Sequence, residues 1–145
     1  MKELTVALLM WIGSHTPLAY DGSHAPGVVR VHRDELVQIL YQDDRPRDID
    51  VDNVSVAGLY NFKDGNIYLL DSVDVSTVEG RAVLVHELVH YLQYHHGQNK
   101  SVQCMRMLEP QAYRTQADYL DQHGKISPFN ELHIFLASQC SPMYM

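Results

Sequence analysis

The chain has 145 residues, 46% hydrophobic and 20% charged, a size and balance suited to one domain with its own core. This excludes disordered and collagen-like classes. Eleven Lys and Arg against 18 Asp and Glu leave a net charge of -7, the wrong sign for a nucleic acid or an anionic membrane as partner. Nine histidines are the unusual count, and because His is the commonest transition-metal ligand, composition alone asks for a metal. No apolar run reaches the length needed to span a bilayer. The expectation is a single domain over residues 1–145, with no transmembrane segment and no nucleic-acid partner.

Met1-Lys2 followed by the apolar stretch from Leu4 to Ile12 has the outline of a short signal core, but Glu3 interrupts its basic start and no small-residue cleavage site follows. Leu4, Leu8 and Trp11 recur at helical spacing and predict an amphipathic first helix. Two prolines and two glycines between Pro17 and Gly27 predict a loop, and Val28 to His32 a short strand. Leu36, Ile39 and Leu40 share one face of a second helix over Asp34 to Gln42, and polar, Pro46-containing Asp43 to Asn53 predicts a loop. Within it, Asp48, Asp50 and Asp52 alternate like the start of a calcium loop. Asn53 stands at the glycine position and Leu59 at the twelfth, however, so the segment reads as a solvated acidic loop.

Ser55 to Phe62 and Asn66 to Leu70 are rich in Val, Tyr and Phe, and Asp64-Gly65 between them supplies the positive φ of a hairpin turn. Ser76 with Glu79 fits a capping box, and the apolar residues from Val78 to Leu92 continue as a central helix. Pro110 and Gly124 bracket a further helix carrying Ala112, Tyr113, Ala117 and Leu120, and a last one follows Pro128 to about Ser138. Strands early and helices late make the class α+β, with a small, mostly antiparallel sheet packed on the central helix.

That central helix carries His86-Glu87-x-x-His90. Residues four apart lie one turn apart on the same face, so both imidazoles can reach one ion, and Glu87 is placed to take a proton from a water on that ion rather than to bind it. Val83, Leu84, Val85, Leu88, Val89 and Leu92 make the helix apolar almost all round. Three polar side chains buried there need partners, which a metal with its water supplies. Catalytic zinc takes three protein ligands and leaves a fourth position open. His96 stands at the spacing of the longer metzincin pattern, but Gln93 occupies the position where that pattern turns the chain with glycine. Otherwise His95-His96-Gly97 is the polar end of the helix. The better candidate is Glu109, which a second helix crossing the first can lower onto the metal.

His86-Glu87-x-x-His90 followed by Glu109-x-x-Ala112 resembles the gluzincin metallopeptidases, the thermolysin-type zincins. The likeness is greatest to minimal members such as the HtpX-type membrane-associated peptidases and the ImmA-type repressor-cleaving ones. It covers roughly Val56 to Leu120 and implies a zincin-like fold. It further implies a Zn2+ site made by His86, His90 and Glu109, and hydrolysis of a peptide or protein substrate with Glu87 as general base. Tyr113 stands where an acidic residue often supports a histidine, and Pro110 sets Glu109 at a helix start or kink, away from helical geometry. Tyr113, His123 and His133 are the candidate donors to the oxyanion. One of the two hairpin strands would be the sheet edge that receives an extended substrate. Cys104 and Cys140 are two buried thiols or one disulfide, the latter implying a periplasmic or secreted home. The alternatives to a peptidase are a zinc-binding but inactive partner-recognition module and a metal-free structural domain.

Overall fold

The computed structural model describes residues 1–40 and 57–140. Its elements in order are α1 (Lys2–His15), β1 (Val28–Val31), α2 (Arg33–Leu40), β2 (Gly58–Asn61), β3 (Asn66–Leu70), α3 (Val78–His95), α4 (Glu109–Gln122) and α5 (Glu131–Ala137). The α+β class holds. Every element expected from the sequence within the described residues is present, while the loop over Asp43 to Asn53, its aspartates, and Ser55 and Val56 fall outside them.

The sheet is mixed rather than mostly antiparallel. Strand order is β1-β3-β2, with β1 parallel to β3 and β2 antiparallel to it. The hairpin explains the antiparallel pair: Gly65 takes φ +76°, and Asn66 N–H donates to Asp64 Oδ1 at 2.9 Å. Parallel pairing of β1 with β3 needs a long connection, which α2, β2 and the chain between them provide. Ile67 and Leu69 point from β3 into the core, where both are fully buried.

Helix α3 is the centre of the molecule, packed against β2, β3, α1 and α4. Its apolar circumference is thereby covered: Leu84, Val85, Leu88 and Val89 are all fully buried. The cap is one residue later than expected. Thr77 Oγ1 accepts from Gly80 N–H at 3.0 Å, whereas Ser76 bonds to Asp74, and Glu79 pairs with Lys125 at 3.3 Å instead of closing a capping box. Thr77 also donates its hydroxyl to the Asp74 carbonyl at 2.6 Å, a tie that fixes it at the helix start. In α1 the buried stripe is Thr5, Leu8, Leu9 and Ile12, with Leu4 and Trp11 at its margins. Trp11 meets Tyr119 of α4 edge-on at 5.1 Å.

A disulfide joins Cys104 to Cys140, with Cα atoms 5.9 Å apart. Beside it the Arg106 guanidinium donates to the carbonyls of Ala137 and Leu136, at 3.0 and 3.1 Å. The end of α5 is thus fastened to the turn that leads into α4. Closing a loop 36 residues long restricts the unfolded chain, so the Cys104→Ser/Cys140→Ser double variant should be less stable by about 3–4 kcal/mol. Chemical denaturation reads this directly. Among the described residues no helix is long and apolar enough to cross a membrane.

Candidate metal centre

His86 and His90 lie one turn apart on the face of α3 that α4 crosses, and Glu109 is the first residue of α4. Despite the proline after it, Glu109 has helical angles, φ -65° and ψ -39°. The packing of α4 overrides the local preference, and Pro110 falls in the first turn, where no backbone donor is missed. Glu109 Oε1 lies 2.5 Å from His90 Nε2 and its Oε2 lies 3.4 Å from His86 Nε2. One ligand atom from each of the three residues falls within 4.8 Å of the other two. His86 is buried and the other two are half-buried.

The opposite nitrogen of each ring is also held. His86 Nδ1 meets Gln116 Oε1 at 2.9 Å, and His90 Nδ1 meets Gln93 Oε1 at 2.8 Å. An amide oxygen only accepts, so each Nδ1 carries a hydrogen, and in the neutral ring that a metal requires, Nε2 has the lone pair to turn toward the cluster. Two imidazole nitrogens and a carboxylate aimed at one point form a donor set that suits zinc. Without a cation the cluster is an ion pair. Burial pulls His90 down, but its hydrogen bond to Glu109 and the charges of Glu87 and Glu109 outweigh this and raise it to about 9. Burial pushes Glu109 up, yet the hydrogen bonds and charges of the two histidines hold it well below the usual carboxylate range.

Glu87 faces the same cavity, a cleft of about 560 Å³ whose walls include Gly58, Tyr60, Tyr113 and Phe129 beside the three candidate ligands. Leu70 N–H bonds to Ala57 C=O across the hairpin. Antiparallel pairs alternate, so positions 57, 59 and 61 face β3 while Gly58 and Tyr60 turn their backbone groups outward. The Tyr60 N–H on that outer edge donates to Glu87 Oε1 at 3.1 Å. Close approach requires Gly58: a Cβ there would lie 3.2 Å from Glu87 Cγ and 2.9 Å from Leu69 Cδ2. Of the two hairpin strands, β2 is therefore the edge beside the site.

The remaining sequence candidates separate. His96 Nε2 bonds to the Ala19 carbonyl at 2.9 Å and takes no part in the cluster. His123 rests on Tyr119 with its Nδ1 on the Tyr119 carbonyl, and does not line the cleft. Tyr113 does line it, edge-on to His86 at 4.6 Å, and His133 packs edge-on to Tyr113 at 5.2 Å. Burial, then the charges of Glu109 and Glu87, push the Tyr113 phenol up, so it stays a protonated donor. Gln93, Gln116 and the Tyr60 amide are functional groups that sequence reasoning missed. Gln116 had a signal in its position seven residues after Glu109, two turns on along the same helix face.

A family profile described as "Domain of unknown function (DUF6647)" matches residues 1–144. The chain belongs to the DUF6647 family. No curated protein and no solved structure matches it. The family description names no chemistry, and the cleft is the feature of this DUF6647 domain that bears on its function.

Proposed function

We propose that the protein is a zinc-dependent, zincin-like peptidase in which His86, His90 and Glu109 hold the metal and Glu87 is the general base. The observation that carries this reading is the convergence of both Nε2 atoms and the Glu109 carboxylate, with each Nδ1 tied back to an amide oxygen. Bound there, zinc would supply a Lewis acid that polarises a carbonyl and lowers the pKa of water to about 7.

The chain's own groups account for the rest. Glu87, oriented by the Tyr60 N–H, takes the proton of the attacking water and delivers it to the departing amine. The outward backbone of Gly58 and the Tyr60 carbonyl offer an extended peptide the pairing that holds it without regard to its side chains. Tyr113, kept protonated and facing His86, donates to the oxygen on which negative charge develops. The Cys104–Cys140 disulfide supports an oxidising compartment, periplasmic or secreted. An inactive partner-recognition module would need no carboxylate fixed between the metal ligands and the β2 edge.

The test is cleavage of a diverse peptide library by zinc-loaded protein, since a narrowly specific enzyme would leave one generic substrate untouched. Cleavage should disappear with a chelator and return with zinc. No cleavage across the library, or cleavage indifferent to zinc, would overturn the peptidase.

A further inference from the structure

Gln93 is a fully buried amide in the last turns of α3. Its Nε2 donates to the Leu108 carbonyl at 2.9 Å and to Gln111 Oε1 at 3.0 Å, while its Oε1 meets His90 Nδ1 at 2.8 Å. A backbone carbonyl can only accept, so the NH2 end of the amide must face Leu108 and the oxygen end must face His90. That orientation requires the hydrogen of a neutral His90 to sit on Nδ1. It leaves Nε2, the nitrogen beside Glu109, as the one with a lone pair to give. Leu108 immediately precedes Glu109, and Gln111 lies in the first turn of α4. A single side chain therefore sets the tautomer of one candidate ligand and ties it to the turn presenting another.

Leaving a buried amide half-paired is expensive, so a core position that only needed volume would favour an apolar residue. Here both ends of the amide are occupied, and each occupant bears on a different ligand. We propose that Gln93 is a positioning residue of the metal centre: it aims His90 Nε2 at the ion and holds the Glu109 turn where the same ion meets both. The proposal rests on the metal-centre reading above.

Two measurements on the full chain test it, zinc affinity by competition with a chromophoric chelator and imidazole-nitrogen NMR of the zinc-loaded protein. In the wild type, His90 should coordinate through Nε2 and keep a slowly exchanging proton on Nδ1. Gln93→Met preserves volume but removes both ends of the amide. It should weaken zinc binding by about 10- to 100-fold and lose the slow exchange of that proton. Gln111→Met leaves Leu108 to orient the amide and should stay within about threefold of wild type.

Coordination of wild-type His90 through Nδ1 would overturn the proposal whether or not any variant folds. Equal zinc affinity in wild type and Gln93→Met would overturn it while leaving the metal centre standing. A wild type that takes up no zinc would overturn the centre and this role together.

Discussion

Glu87→Gln should keep zinc at one ion per chain and lower peptide hydrolysis by about 10²- to 10⁴-fold, the usual contribution of a positioned general base. The substitution keeps the shape of the side chain and leaves an oxygen to accept the Tyr60 N–H, so the hydrogen bond at 3.1 Å can persist. What it removes is the ability to take a proton. Glu87 is also not one of the three converging ligands, so metal content should not follow activity. Kinetics on any peptide the library yields, with zinc measured on the same samples, separates the roles. Equal hydrolysis by wild type and Glu87→Gln would exclude Glu87 as the base, and loss of zinc from the variant would make it a ligand instead.

The second large effect is expected at Glu109. Glu109→Ala removes the only carboxylate in the converging set and leaves two buried or half-buried histidines to hold a divalent ion. Zinc affinity should fall by at least about a hundredfold, more than the loss of a supporting hydrogen bond would cause. His96→Ala should leave affinity unchanged, because His96 is bonded to the Ala19 carbonyl and lies outside the cluster. Chelator competition on the two variants decides between them. Retention of zinc by Glu109→Ala with loss from His96→Ala would invert the ligand assignment.

The candidate centre was legible to different depths for different residues. His86 and His90 are related by the period of a single helix, so their alignment could be read without any tertiary information. Glu109 was legible through the Glu109-x-x-Ala112 pattern on a second helix, though not its helical angles, which Pro110 argued against and which come from packing of α4 on α3. Gln93 and Gln116 were not legible as partners of the two Nδ1 atoms. Gln116 becomes a partner only where α4 crosses α3, while Gln93, three residues after His90 on the same helix, is within local reach but has its oxygen turned toward the ring by the Leu108 carbonyl, a tertiary contact.

The fold shows the same division. The hairpin was written locally in Asp64-Gly65, but the direction in which β1 joins β3 depends on where α2 and β2 lie, so the mixed sheet escaped a local pattern. Ser76 and Thr77 are equally able caps, and the choice fell to Thr77, which also reaches the Asp74 carbonyl. The disulfide is likewise a tertiary fact. The separation of 36 residues fits a bridge or two free thiols until the turn before Glu109 is placed against the end of α5.

The most direct test of the account is anomalous scattering at the zinc edge from crystals of wild-type protein purified without chelator. It predicts one peak per chain, in contact with Nε2 of His86, Nε2 of His90 and the carboxylate of Glu109, with Glu87 beside it and unbound. No peak at that position, or a peak held by His96 in place of Glu109, would contradict it.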